Sequence, residues 1–296
     1  MYLLSIFENS FSQGLSYGIA VLGIVISFRI LNYPDLTADG SFMLGAVVFG
    51  TVFNQTDSIL ISLGLAFAVG GLTGFVTASI HTYFSVNKIL SGLLTTMICY
   101  SVSFWILKNS PTIGINQLHM NHFLFLIVLA IILIALFYIL LESDYGIIFR
   151  AFGKNESLVL ENGINTKMIR IIGLMISNSL IAFSGAILTM RQGFADVNMG
   201  TGIIIILLAS LILGEEILRF LSFKPDRQIL IRIVSSFFGS FIYYFFYIVV
   251  IRASILGRLP IKINPTDIKA ISAIIIIIVF ILKKTRLKTY EEELPL

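Results

Sequence analysis

Charge is what this sequence has least of. Of 296 residues, 12% are Asp, Glu, Lys or Arg, about half of the ~25% found in water-soluble domains. With 57% hydrophobic residues and a mean hydropathy of +0.97, a chain this poor in charge cannot hide its apolar surface from water; a bilayer, by contrast, requires apolar surface on the outside. Cysteine is nearly absent. The single thiol, Cys99, lies in an apolar run and excludes an intramolecular disulfide framework. The first stretch, Met1 to Gln13, holds no Lys or Arg and no small-residue cleavage site, so a removable signal peptide is not expected. No Gly-x-x-x-x-Gly-Lys-Ser/Thr run occurs to cradle nucleotide phosphates. The net charge of +4 is explained by where the basic residues fall and does not point to nucleic acid.

What is present is a succession of apolar runs, at 11–31, 42–53, 59–80, 89–107, 123–141, 168–190, 201–213, 228–251 and 267–282. A helical crossing takes roughly 20 apolar residues, so 42–53 and 201–213 are too short for ordinary spans. The expectation is an all-α polytopic membrane protein with about nine membrane segments, two of them short or broken. It forms one transmembrane domain over residues 1–296. With nine crossings and the N-terminus outside, the bias of Lys and Arg places Arg29, Lys88, Arg150, Lys154, Lys167, Arg170 and the Lys283–Lys288 run inside, together with the C-terminus. That C-terminal basic run is an anchor to anionic lipid, followed by a solvated acidic tail at Glu291 to Glu293.

The two short segments have similar surroundings. Before 42–53 stand Arg29, Pro34, Asp35, Asp39 and Gly40; before 201–213 stand Arg191, Phe194, Asp196, Gly200 and Gly202. Each place combines a long helix, an arginine, an aspartate a few residues on, glycine near the break, and a short helix. Two such breaks in corresponding halves are the mark of inverted-repeat transporters, whose pathway runs between the repeats; two polar loops are the plainer alternative. Asp35, Asp39 and Asp196 would be costly at membrane depth unless paired or wetted. Arg29 and Arg191 are the nearest partners in sequence for a structural pairing. The other reading has a carboxylate facing the pathway and attracting a substrate's ammonium group.

The longest polar interruption runs from Glu142 to Arg170. Tyr145, Ile148, Phe149 and Phe152 share a helical face. Gly153 is expected to stop that helix, Asn155 to cap a second one, and Gly163 to take a left-handed conformation after it. A pair of short helices outside the bilayer suits docking into a partner's groove or lying on the membrane surface.

Four stretches carry a resemblance: Phe28 to Phe42, Arg150 and Ala151 through Gly163, Ile164 and Asn165, Ser177 and Asn178 through Ala186, and Gln192 to Gly200. From about residue 14 to 282 the chain resembles the permease subunits of tryptophan/tyrosine-type ABC importers, within the branched-chain amino acid and ribose permease superfamily. The resemblance implies an inverted-repeat ABC permease and a bacterial inner-membrane location. It also implies a separate ABC ATPase that grips a cytoplasmic coupling segment at 142–170 through Arg150, Ala151, Asn155, Gly163, Ile164 and Asn165. An extracytoplasmic substrate-binding protein and a second permease copy are the further partners implied. Asp35, Asp39, Phe194 and Asp196 are the pathway candidates. The solute would be an amino acid, an aromatic one as the first choice; the alternative from a different class is an ion-gradient-driven carrier or channel.

Enzyme chemistry finds little support. Ser184 would need a histidine base, and His81, His119 and His122 all lie well upstream. Small residues such as Ser184, Gly185 and Ala186 suit close helix packing. His119 and His122 lack a neighbouring carboxylate or thiol and are read as a solvated loop; neither a metal nor a cofactor is expected. Glu215 and Glu216, beside Arg219, are read as a solvated helix start.

Overall fold

The computed structural model describes residues 2–115, 122–221 and 229–255, with isolated positions at 270, 273, 274 and 277. Each of the first eight apolar runs is a helix: α1 (Tyr2–Ile24), α2 (Ala38–Thr56), α3 (Ile59–Phe84), α4 (Lys88–Ile106), α5 (His122–Glu142), and, after the polar stretch, α8 (Thr166–Gln192), α9 (Ile203–Phe220) and α10 (Ile229–Ile255). The polar stretch itself forms α6 (Asp144–Lys154) and α7 (Glu156–Glu161). The ninth run, the Lys283–Lys288 anchor and the acidic tail lie outside the described residues apart from those isolated positions. Six helices are long and apolar enough to cross a membrane, namely α1 with its continuation to Ile30, α3, α4, α5, α8 and α10. The protein is a polytopic all-α membrane protein.

Helices α2 and α9 are longer than their apolar runs, at 19 and 18 residues. The difference has a physical cause. α2 takes in Ala38, Asp39 and Gly40 because that end is buried in protein, where polar groups find partners. α9 continues through Glu215, Glu216 and Arg219, which form ion pairs instead of ending the helix. Glu215 is therefore a buried member of a helix interior and not the solvated helix start expected from sequence.

α8 forms the axis of the fold and packs against α1, α2 and α3. The helices approach closely because glycines allow it. A Cβ on Gly45 of α2 would strike the Ala182 backbone of α8, and one on Gly185 of α8 would strike the Phe42 carbonyl of α2. This is small-residue packing as used between membrane helices, and it gives Gly185 its role. The packing also has an internal symmetry. α1 lies on α10 as α8 lies on α3, and α2 lies on α3 as α9 lies on α10. Exchanging the set α1, α2, α3 for the set α8, α9, α10 maps these neighbours onto one another.

The only strands among the described residues are β1 (Thr112–Gly114), after α4, and β2 (Phe194–Asp196), after α8. They pair antiparallel, with Ile113 opposite Ala195. This hairpin-like patch closes the end of the molecule opposite α6 and α7. Sequence gave no hint of it, because three-residue strands are too short for a readable period.

Candidate functional site

The first break begins inside α1, where Val25–Ile30 widens into a π-helical turn. Such turns occur mostly as local bulges and often at functional sites. The Leu31 N–H still reaches the Ile26 carbonyl at 2.8 Å, and Asn32 then turns left-handed with φ of 51°. Pro34 cannot donate a backbone hydrogen bond and disfavours helix at Tyr33. The chain therefore leaves the helix until Leu36 and Thr37 turn, with Thr37 at φ of -70° and ψ of -16°, into α2 at Ala38.

Asp35 sits in this connector with 1% of its surface exposed. One carboxylate oxygen accepts from the Thr37 N–H at 2.9 Å and the other from the Asn178 side-chain amide at 2.7 Å. Asn178 in turn accepts from the Ser41 hydroxyl at 2.6 Å, which lies 2.7 Å from the Thr73 hydroxyl. The Thr37 and Thr77 hydroxyls are also 2.7 Å apart, and Tyr33 meets Ser91 at 3.0 Å. The break is thus stitched to α8, α3 and α4. Asn178 lies near the middle of α8 (Thr166–Gln192), so the network sits about halfway along that helix.

Asp39, in the first turn of α2, reaches across to the other repeat. Its two oxygens accept from the backbone N–H groups of Gly202 and Ile204, both at 2.9 Å. These are the unpaired donors at the start of α9, where a carboxylate is favoured. Gly202 takes φ of 75° to begin that helix, and a side chain at Gly200 would strike the Asp39 carbonyl. The N-termini of α2 and α9 therefore meet, and the two helices lead away to opposite ends. α2 runs to the strand patch, where Asn54 donates to the Gly114 carbonyl at 2.7 Å. α9 runs toward the α6–α7 end, where Glu215 takes Arg29 in two bonds of 3.0 and 2.5 Å.

Arg29 does not pair with Asp35, its nearest carboxylate in the sequence. Arg29 lies 40% exposed at the end of the π turn and bonds Glu215, while Asp35 is satisfied by neutral amides. Arg191 likewise does not pair with Asp196. It bonds Asn9 at 3.4 Å, whereas Asp196 folds back onto the Asn198 N–H at 2.5 Å within the exposed turn after β2. Phe194 stands 45% exposed on β2.

The helix pair is built much as the local chemistry demands, with two changes. Asn155 accepts from the Leu158 N–H at 3.1 Å and so caps α7; Asn165 accepts from the Met168 N–H at 3.2 Å and caps α8. Gly163 takes φ of 78°. Ile164 and Ala151 are partly buried against the core. Arg150 donates to the Leu141 carbonyl and so secures the end of α5. The first change concerns Gly153, which does not stop α6. The helix runs one residue further, and Gly153 is there because α6 presses on the first break: a side chain would strike the Ile30 carbonyl. The second concerns the apolar face. Phe149 and Phe152 turn inward and are buried, while Tyr145 is exposed, as are Ile147, Leu158 and Leu160. The outward apolar surface therefore combines α6 and α7 and is not the stripe expected from periodicity.

In sequence Arg170 is one more inside-facing cation. It is buried, lies over the Phe152 ring at 5.6 Å, bonds Glu156 of α7, and donates to the Thr82 hydroxyl of α3 at 3.3 Å. One guanidinium thus fastens both short helices to α8 and α3. The signal for it was its position one turn inside α8, although its partners lie up to 88 residues away. Among the described residues no group of three or more His, Cys, Asp or Glu comes together; His119 lies outside the described residues.

Broken helices meeting inside a bundle of membrane-length helices define a class, that of multi-pass transport proteins. The comparisons narrow it. Residues 6–282 match the family model described as "Branched-chain amino acid transport system / permease component", and the chain belongs to that family of permease components. It is 35% identical over 272 residues to a tyrosine transport system permease protein of Clostridioides difficile (strain R20291), covering 90% of this chain and 87% of that one. An uncharacterized protein of Rickettsia prowazekii (strain Madrid E) is 32% identical over 93% of this chain and 96% of its own length. An autoinducer 2 import system permease protein of Salmonella choleraesuis (strain SC-B67) is 24% identical over 61% of this chain and 54% of its own. No solved structure matches.

Proposed function

We propose that this chain is the single-domain membrane subunit of an ATP-binding-cassette importer for an amino acid, with an aromatic amino acid as first candidate. It works with a separate ATPase inside, a binding protein outside and a second permease copy, and has no ATPase site of its own. The observation that carries this reading is the meeting of the α2 and α9 N-termini about halfway along α8, with Asp39 between them. Two half-helices leading from one point to opposite ends make two half-channels, and rocking one repeat against the other opens them in turn. Asp35 and Asp39 hold the junction that frames the pathway, while Phe194 and Asp196 stand at its outer mouth.

The coupling segment reaches this junction through contacts already described. The ATPase grips the exposed face of α6 and α7, whose geometry depends on Arg150, Ala151, Asn155, Gly163, Ile164 and Asn165. A displacement of α6 is passed to the first break at the Gly153–Ile30 contact, and Arg170 makes the pair move as a body with α8. Arg29 and Glu215 lie beside that contact and close the inner half-channel. The N-terminus is outside and the C-terminus faces the cytoplasm and its anionic lipid.

The test is purification of the tagged full chain from its native membranes, followed by reconstitution of whatever comes with it. ATP-dependent accumulation of an aromatic amino acid, with a phosphate-loop ATPase in the preparation, is the expected result. Uptake by the chain alone, driven by a sodium or proton gradient, would overturn the proposal in favour of a secondary carrier.

A further inference from the structure

A cavity of about 320 Å³ opens at the end opposite α6 and α7, between α1, α8 and α10. Its volume is at the lower end of the roughly 300–1,000 Å³ of small-ligand pockets. Arg191 at the end of α8 and Arg252 near the end of α10 both stand on its wall, with Asn9 and Gln13 of α1 and Tyr247 of α10. Arg191 makes no ion pair among the described residues, and its bond to Asn9 is long at 3.4 Å. Gln13 Oε1 is buried and accepts no hydrogen bond, an omission that is costly unless another donor arrives. A wall with two guanidinium groups and amide oxygens offers donors for a carboxylate and acceptors for an ammonium group.

The cavity also leads somewhere. Tyr247 on its wall meets Tyr244 edge-on, with ring centroids 6.0 Å apart. Tyr244 stacks on Tyr17 at 4.5 Å, and Tyr17 on Phe42 at 5.7 Å. Phe42 is one helical turn from Asp39, at the place where α2 and α9 begin. A ladder of aromatic rings therefore joins the cavity to the half-helix junction.

We propose that this cavity is the first binding site of the permease for a free α-amino acid, with Arg191 and Arg252 taking the carboxylate, the Gln13 and Asn9 side-chain oxygens taking the ammonium group, and the Tyr247 face taking an aromatic side chain. The inference rests on the permease reading and adds its substrate contacts. A site that recognises carboxylate and ammonium together rejects an amine lacking the carboxylate, because the guanidinium groups are then left without it. Bidentate geometry makes arginine better than lysine here.

Equilibrium dialysis of the purified full chain in detergent against labelled L-tyrosine, L-tryptophan and tyramine tests it. Tyrosine or tryptophan should bind, and tyramine should bind about tenfold more weakly or worse. Arg191→Gln should weaken amino-acid binding by about tenfold, with Arg191→Lys recovering part of the loss. Gln13→Leu, which changes no charge, should weaken binding of the amino acids and tyramine alike and serves if Arg191→Gln does not fold. Equal binding of tyrosine and tyramine, absence of amino-acid binding to the unaltered chain, or unchanged binding in folded Arg191→Gln and Gln13→Leu would each overturn the proposal. ATP-driven uptake by the reconstituted assembly separates the two readings. Uptake that persists undiminished in Arg191→Gln removes this site alone, whereas its absence in the unaltered assembly removes the importer itself.

Discussion

The two breaks begin alike in sequence and are held in opposite ways. The first, between Leu31 and Thr37, is buried and fixed by side chains: Asp35 to Asn178, Thr37 to Thr77, Tyr33 to Ser91. The second, between Gly193 and Gly202, is partly exposed and held mainly by backbone, with Ala195 and Val197 among its buried residues. Its β2 strand pairs with β1, Gly193 and Gly202 both take positive φ, and the carboxylate that anchors its far end, Asp39, is lent by the first repeat. A break secured by side chains tolerates little change of polarity, while one secured by backbone tolerates much. The first therefore behaves as a fixed frame and the second as an adjustable mouth.

This contrast can be broken by substitution, most sharply at Asn178. Replacing it with Leu leaves the buried Asp35 carboxylate with Thr37 alone to hold it, a loss of about 3 kcal/mol by comparison with other buried charges deprived of a partner. The yield of monodisperse protein should fall severely, and Asp35→Asn in the same chain should restore part of it. Asp39→Ala comes next. It strips two N–H groups at the start of α9 of their acceptor, a capping loss of about 1–2 kcal/mol. Protein should still be recovered, melting several degrees lower, with transport reduced because α2 and α9 no longer share a carboxylate; an unchanged melting temperature would contradict the cap.

Gly163→Val forces a β-branched residue into left-handed backbone at a cost of roughly 1–2 kcal/mol. The strain falls on the link between α7 and α8, so its effect is local. Insertion should be kept, melting should fall by no more than in Asp39→Ala, and ATPase co-purification should drop; a variant that keeps its full complement of ATPase would show that α6 and α7 are not the grip. The smallest effect is expected at Asp196→Asn in the exposed mouth, which weakens one turn hydrogen bond by about 0.5–1 kcal/mol. If this variant lost as much folded protein as Asn178→Leu, the distinction between frame and mouth would be gone.

Sequence revealed those parts of the molecule whose causes are local. The apolar runs mark the helices, Asn155 caps the residue three positions on, and Gly163 turns left-handed for want of a side chain. It could not reveal partners chosen by the fold. Arg29 has Asp35 six residues away and takes Glu215 at a separation of 186 residues. Arg170 is one basic residue among many until Phe152, Glu156 and Thr82 surround it. Gly153 looks like a helix stop because nothing in the sequence announces the Ile30 carbonyl pressing on it. Nor could periodicity tell which side of α6 faces outward, since its most apolar stripe serves the protein's own core.

The packing of α1 on α8 sets a condition on how the molecule is made. Ser177 of α8 bonds the Gly23 carbonyl of α1, a contact spanning 154 residues. At roughly 5–20 residues per second, the ribosome delivers that partner about 8–30 seconds after Gly23 has been synthesised. For that interval the first helix stands in the bilayer with the face destined for α8 turned to lipid or to the insertion machinery. The Gly23 side of α1 must therefore be stable in two surroundings in succession, a temporary one during synthesis and a permanent one afterwards.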